Sequence, residues 1–242
     1  DVITLHSIAK KRLKTLAVSS LWICSASPKY FLFLDALVNE RMKLVTLEDG
    51  IERKIRGIDS DLAKTLKANG FLLLYNLVES SMTNAIEAIF DELKERKIPF
   101  NSVRTEIKKV VLQNFKNRSP DDIHTKMTDI SIDIITAGFR RRELFSGNID
   151  RKEITKTARK YGFSCDTNYL ETKHGDNLYG VMKNRNDLAH GNKSFSEIGK
   201  STSIEDLLKV KEEVIAYIAQ ILNNIENYLV AQEYLDISKK II

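Results

Sequence analysis

Apolar residues recur at helical spacing along most of the chain, and one long stretch of this kind runs from residue 59 to residue 97. Its centre, 71–78, is almost entirely apolar, and the apolar residues that follow keep the spacing of one buried helix face. A polar residue at 59–61 would cap this helix, Gly70 would be the place of a kink, and Pro99 follows its end. We expect this helix to form the first arm of the core.

A second arm is predicted from Ile204 to the C-terminus. Apolar residues recur there at intervals of seven, namely at Leu207, Val214, Ile221, Tyr228 and Leu235, with Ile204, Ile218 and Ile225 on the neighbouring track. This pattern indicates one long amphipathic helix. We expect it to pack on the 71–93 segment in a helical bundle, and a free coiled coil is the alternative.

Shorter helical patterns lie at 7–24, 29–45, 103–115 and 148–162. The polar residues at 119–122 have the order of a helix start, and their two aspartates would need further ligands nearby to bind a metal. Only ten glycines and three prolines interrupt the 242 residues, of which 43% are hydrophobic. Such a chain can bury a sizeable core, and the sequence therefore predicts an all-α fold with long core helices.

The two cysteines, Cys24 and Cys165, are far apart and fit neither a metal-binding nor a redox spacing. This usage favours the reducing cytoplasm. The alternative is a signal peptide, because basic residues at 10–14 precede the apolar run 16–24 and the small residues 25–27. No apolar run reaches the roughly 18 to 20 residues that a membrane span needs, so we expect no membrane partner.

The net charge of +5 is concentrated in one segment. Residues 138–162 hold eight Lys or Arg against three acidic residues, an excess equal to that of the whole chain. Within it, the helix at 148–162 would begin at Ile149 or Asp150 and end at Gly162. The segment is a candidate surface for a polyanion, whereas a solvated surface of mixed charge and half of a DNA-binding helix-turn-helix are the alternatives.

Candidate chemistry is densest at 179–191, where a helix anchored by apolar residues carries Arg185, Asn186, Asp187 and His190 near its end. On an ideal helix, Arg185 lies about 140° from His190, so one copy of this segment makes a poor active site. In a purely structural role, Arg185 would cap carbonyls or pair with Asp187 or Glu171, and His190 would suit a helix C-terminus. The other histidines, His6, His124 and His174, have no convincing partners in the sequence.

The string Arg-Asn-Asp-Leu-Ala-His at 185–190 matches the Arg-x4-6-His motif of the HEPN superfamily. The block 66–90 resembles the first core helix of the MAE-type HEPN branch, and the resemblance spans about residues 55–235. Residues 1–55 are predicted from their own pattern as an N-terminal helical extension, and the first 50 of them carry none of the resemblance. The resemblance implies a HEPN-like helical bundle at 56–242, with a basic insert around 138–162. It also implies a homodimer in which two motifs meet across a two-fold cleft and form one composite site.

Proteins of this kind are commonly metal-independent endoribonucleases in defence, toxin–antitoxin or stress systems, and some superfamily members are inactive modules that bind RNA, a nucleotide or a partner protein. The resemblance therefore assigns Arg185 and His190 to catalysis, with Asn186 as a supporting polar residue and Asp187 as an orienting or structural one. It implies RNA, a second copy of the chain and an antitoxin or defence-system protein as partners, and no cofactor or metal.

The chemistry of these residue types agrees with that assignment. Histidine exchanges protons near neutral pH, so it can deprotonate a ribose 2′-OH or protonate a leaving 5′-oxygen, and arginine stabilises phosphoryl charge. Attack by the 2′-OH would leave a 2′,3′-cyclic phosphate, and DNA would resist cleavage. The residues expected to hold the RNA backbone are Arg140, Arg141, Arg142, Arg151, Lys152, Arg159 and Lys160.

Overall fold

The computed structural model describes residues 52–116, 134–135, 137–139, 141, 144–145 and 147–239, with the backbone alone for 52–60 and 239. Within these residues lie seven α-helices: α1 Glu52–Glu95, α2 Thr105–Lys116, α3 Arg151–Tyr161, α4 Tyr169–Thr172, α5 Asn177–Ala189, α6 Phe195–Lys200 and α7 Ile204–Val230. Single 3-10 turns occupy Phe100–Ser102, Lys173–Gly175 and Ile237–Lys239. The described part of the chain contains no β-strand beyond an isolated bridge, which confirms the all-α fold class.

The chain divides into two compact units. The first, called here the motif unit, comprises 52–78 and 169–217 among the described residues. The second, called the tyrosine unit, comprises the described parts of 79–168 together with 218–239. Because α1 and α7 each contribute one segment to each unit, the two predicted arms supply core residues to both.

Helix α1 is longer at its start than the sequence pattern predicts. It begins at Glu52, so the polar residues at 59–61 lie inside the helix and the predicted cap there is wrong. The kink at Gly70 stays a prediction, but this glycine has a packing role. A Cβ at this position would lie 2.8 Å from Leu207 Cδ2, so the missing side chain lets α7 pack closely against α1 within the motif unit.

Helix α7 ends earlier than predicted. It stops at Val230, and Gln232 has a positive φ of 51°, a left-handed conformation that ends the helix. Leu235 lies beyond the helix, where it forms the isolated bridge with Val103. The seven-residue pattern still predicts burial correctly, because every position from Leu207 to Leu235 in that series is buried.

Helix α3 has the bounds that its capping residues predict. The Asp150 carboxylate accepts a hydrogen bond from the Glu153 N–H (2.9 Å), and Gly162 ends the helix at φ 89°. Helix α2 lies close to the predicted segment 103–115. The segments predicted at 7–24, 29–45 and 119–122 lie outside the described residues, as do Cys24, His6 and His124.

The tyrosine unit is built around buried aromatic rings. The Tyr228 hydroxyl donates a hydrogen bond to the Tyr161 carbonyl (2.9 Å), and the Tyr228 ring packs edge-on against Tyr234 and Phe163. Burial raises the pKa of Tyr234 to about 12. These rings join the end of α3 to the end of α7 in one core.

Candidate functional site

Helix α5 carries the sequence motif and is anchored at its N-terminal end on α7. The Asn177 side-chain amide donates a hydrogen bond to Glu213, which is buried on α7. Just before α5, Gly175 has a positive φ of 78°, and a Cβ there would lie 2.9 Å from the Tyr217 ring. A side chain at 175 would therefore displace the turn that sets the direction of α5.

The Arg185 guanidinium lies over the face of Tyr75, with its Cζ 4.6 Å from the ring centroid. Tyr75 is 1% exposed on α1, so this cation–π contact is largely removed from water. Arg185 Nη1 also donates a hydrogen bond to Asn186 Oδ1 (2.9 Å). That bond uses one of the five N–H donors of the group, and among the described residues the others have no partner.

His190 is the residue at which α5 ends. Its backbone N–H donates to the Asn186 carbonyl (3.0 Å), and Gly191 follows with a φ of 68°, so the predicted helix stop is confirmed. The His190 side chain is exposed and makes no hydrogen bond, ion pair or ring contact in the described part of the chain. The imidazole is therefore accessible to a ligand from outside the chain.

One chain does not bring Arg185 and His190 together. Arg185 is half-buried and faces α1, whereas His190 faces solvent, as the 140° between them predicts. Asn186 lies beside Arg185 and accepts its hydrogen bond. The two residues assigned to catalysis therefore present separate groups at the C-terminal end of α5.

Asp187 stabilises the turn after the helix. Its carbonyl accepts the N–H groups of Asn192 (2.8 Å) and Lys193 (3.2 Å). Its carboxylate is 16% exposed, and Oδ2 lies 3.4 Å from Lys193 Nζ in an ion pair but accepts no hydrogen bond in the described structure. The orienting or structural role of Asp187 stays a prediction.

The predicted RNA-contacting residues fall into three groups. Arg151, Lys152, Arg159 and Lys160 are exposed along α3. Arg141 is exposed but forms an ion pair with Glu87 and donates to Asn84 Oδ1 (2.6 Å) on α1. Arg140 and Arg142 lie outside the described residues.

Two residues of interest were missed in the sequence. Lys156 is exposed and lies on the same face of α3 as Lys152 and Arg159, a position that the i, i+4, i+7 spacing could have revealed. No sequence pattern indicated a functional role for Tyr75. It lies inside an apolar run, and its contact with Arg185 joins residues that are distant in the sequence.

Neither a metal cluster nor a membrane span is found in the described residues. No group of three or more His, Cys, Asp or Glu side chains is placed there to hold a metal ion. Within the same residues, no helix combines the length and the apolar composition that crossing a membrane requires.

The chain was also compared with known proteins. Residues 33–234 match the model of the HEPN_MAE_28990-like HEPN family, a span that covers the motif and both long helices. The match starts before the predicted boundary at 55/56, which stays a prediction. No curated protein and no solved structure matches the chain. The helical structure and this match together show that the chain belongs to the MAE_28990-like branch of the HEPN superfamily and has its helical bundle fold.

Proposed function

We propose that this chain is a metal-independent endoribonuclease that works as a homodimer, with Arg185 and His190 of both subunits around one scissile phosphate. Membership of the HEPN superfamily, which suggests a ribonuclease or a nucleotide-binding module, supports this proposal. The observation that carries the proposal is that both side chains can bind a ligand. The Arg185 guanidinium is held by Tyr75 yet keeps most of its donors unused, and the His190 imidazole is exposed.

The divergence of the two side chains is the reason for invoking a second copy. Arg185 and His190 are separated by about 7.5 Å along α5 and point to different sides of it. A two-fold axis near the end of the helix would place Arg185 of one subunit opposite His190 of the partner subunit. Such an isologous contact needs only one surface patch, repeated on both subunits.

In the proposed reaction, one imidazole takes the proton of the ribose 2′-OH, and the 2′-oxygen attacks the adjacent phosphorus. A bond forms between O2′ and phosphorus, and the bond from phosphorus to O5′ breaks. The second imidazole protonates O5′, and the guanidinium groups bind the phosphoryl oxygens that gain charge. The products carry a 2′,3′-cyclic phosphate and a 5′-OH.

The exposed cations of α3 are proposed to hold the RNA backbone. Lys152, Lys156, Arg159 and Lys160 lie on one side of this helix and offer a sequence-independent contact to phosphates. Helix α5 ends at the site with its carbonyl groups, whose partial negative charge disfavours a phosphate. Cationic groups at the end of α5 are therefore needed to bind RNA there.

A toxin or defence role, restrained by an antitoxin or a partner protein, is part of the same proposal and is supported by the family. The second candidate function is a non-catalytic module that binds RNA, a nucleotide or a protein. The observation in its favour is that Arg185 and His190 do not converge within one chain.

The decisive experiment is cleavage of single-stranded RNA in EDTA by the wild-type protein, Arg185→Ala and His190→Ala. We expect cleavage by the wild type alone, with 2′,3′-cyclic phosphate ends, and no cleavage where the target nucleotide carries deoxyribose. Ala189→Ser, a change at an exposed position on the same turn, is the matched control. Binding without cleavage by the wild type would favour the non-catalytic module, and equal cleavage by His190→Ala would exclude the proposed site.

A further inference from the structure

Gly180 is a glycine for which the described chain provides no structural reason. It lies inside α5, where glycine costs about 1 kcal/mol relative to alanine. A Cβ at Gly70, Gly175 or Gly199 would come within 3.0 Å of a neighbour, whereas a Cβ at Gly180 would have no described atom beyond its own helix within 4 Å. Gly180 also lacks the positive φ of Gly191. The open space around it is therefore available to something outside the chain.

Beside this glycine stands an exposed aromatic ring. Tyr179 is 58% exposed, and no hydrogen bond or ring contact holds its side chain in the described structure. On α5, Tyr179, Lys183 and His190 lie within about 40° of one another around the helix axis. Lys183 and Tyr179 lie about 10 Å and 16 Å from His190 along that axis. One exposed face therefore carries an aromatic ring, a cation and the proposed catalytic imidazole in a row.

We propose that this face is a binding track for single-stranded RNA, in which Tyr179 stacks on an unpaired base a few nucleotides from the scissile phosphate. Lys183 contacts a phosphate between the two, and Gly180 leaves room for the nucleotide beside the ring. The inference rests on the proposed function for its substrate. It adds a preference for unpaired RNA, because a base that is stacked inside an RNA helix has no free face for Tyr179 to contact.

The charges on this face favour RNA over a second protein copy. Between Tyr179 and His190 the only carboxylate is Asp187, which is largely buried and paired with Lys193. The exposed groups there are hydrogen-bond donors or cations. Asp176 is exposed one turn before Tyr179, at the far end from His190, so it does not interrupt the track. An aromatic ring followed by cations suits a base and its phosphates.

Fluorescence quenching of 2-aminopurine tests the track without any need for cleavage. The probes are a series of single-stranded RNAs, each with one 2-aminopurine, which is moved by one position from one RNA to the next. If the wild type cleaves the RNA, the nucleotide at the mapped cleavage position carries deoxyribose, so that the probe stays intact. If the wild type does not cleave it, the RNA is used without deoxyribose. We expect quenching confined to one or two positions. It should persist in Tyr179→Phe and be lost in Tyr179→Ala, with about tenfold weaker RNA binding. Tyr169→Ala removes another half-exposed tyrosine of the motif unit as the matched control.

Gly180→Gln gives a second test that does not depend on the aromatic ring. Because a Cβ at 180 would meet no described atom beyond its own helix within 4 Å and the position is exposed, this variant should fold and gain helix stability. We expect it to weaken RNA binding by crowding the track, and unchanged binding would contradict the proposal.

Three further results would overturn the inference, and they can be told apart. Unchanged binding and quenching in Tyr179→Ala, beside normal cleavage, would remove the stacking subsite and leave the nuclease proposal standing. A loss of dimer in Tyr179→Ala, seen by light scattering, would assign the face to a second copy instead. A wild-type protein that binds no RNA would overturn the track and the nuclease together. Quenching without cleavage would support the track and contradict the nuclease alone.

Discussion

Two partly buried arginines, one in each unit, use their hydrogen-bond donors in opposite ways. In the tyrosine unit, Arg104 donates to Glu106 Oε2 (2.7 Å) and to the carbonyls of Gly162 (3.0 Å) and Glu233 (3.2 Å). In the motif unit, Arg185 makes one hydrogen bond and rests on an aromatic ring. The donors of Arg104 are used to stabilise the fold, whereas Arg185 is held in position with most of its donors unused.

This difference in hydrogen bonding shows how one arginine can stabilise the structure while another remains able to bind a ligand. Arg104 joins the start of α2, the end of α3 and the chain after α7, and its guanidinium fills the space beside Gly162 where a Cβ would stand. Arg185 is fixed through its flat face, a contact that leaves the N–H groups at its edge free to bind an anion. An arginine held in this way suits the binding of phosphate.

The largest effect is expected from His190→Ala. Loss of an acid–base group should reduce RNA cleavage by about 100- to 10,000-fold. The free energy of unfolding should change by less than about 0.5 kcal/mol, because the side chain is exposed and makes no hydrogen bond or ion pair in the described structure. Cleavage rates and urea unfolding curves measure the two quantities. A stable variant with wild-type activity would show that the open end of α5 is not a catalytic site.

The opposite pattern is expected from Arg104→Ala. Removing the guanidinium leaves two carbonyls and the Glu106 carboxylate without their donor, so the free energy of unfolding should fall by about 2 kcal/mol. RNA cleavage by the folded variant should stay near that of the wild type. Urea denaturation measures the first effect, with Arg159→Ala, an exposed arginine on α3, as the control. An unchanged unfolding midpoint would remove the distinction between the two arginines.

Much of this contrast between Arg104 and Arg185 could not be predicted from the sequence. The bounds of α3 were predictable because Asp150 and Gly162 act on backbone groups within the same helix. The 140° between Arg185 and His190 followed from helix geometry, and the structure agrees with it. The contact of Arg185 with Tyr75 joins α5 to α1 across more than a hundred residues, so no local pattern reports it.

The ends of the long helices were hard to predict for a related reason. Apolar periodicity reports burial, and Leu235 keeps that periodicity although the backbone leaves the helix after Val230. The polar residues at 59–61 have the composition of a cap but lie within α1, because no local rule decides which of several polar residues starts a helix. Gly180 was likewise not singled out, since its significance lies in the absence of neighbours.

A smaller effect is expected when Tyr75 is changed, because Tyr75 is a positioning residue for Arg185. Tyr75→Phe keeps the aromatic face and should keep cleavage within about threefold, whereas Tyr75→Leu should lower kcat by about tenfold and change KM less. Steady-state cleavage of a short RNA separates kcat from KM. Equal values of kcat for the two variants, both folded by circular dichroism, would show that the ring does not position the guanidinium.

The smallest effect concerns the pH dependence of stability in the tyrosine unit. The hydrogen bond from Arg104 lowers the pKa of the Glu106 carboxyl. A lowered pKa in the folded state stabilises the protein above the unfolded pKa, and this stabilisation is lost as the pH falls through the folded pKa. Because Glu106 is well exposed, we expect a few tenths of a kcal/mol, lost below about pH 5. Urea midpoints at pH 7 and pH 3.5 should differ less in Glu106→Gln than in the wild type, and an identical difference would exclude this linkage.

Whether Arg185 and His190 act across two subunits is testable with mixed dimers. Arg185→Ala and His190→Ala chains carrying different tags are co-expressed, and dimers that hold one of each are purified through both tags. Such a dimer retains one guanidinium and one of the two imidazoles at a shared site. We therefore expect RNA cleavage below that of the wild type but above that of either parent homodimer, which lacks one of the two groups entirely. Mixed dimers as inactive as both parents, while wild-type dimers tagged in the same way cleave RNA, would contradict a composite site.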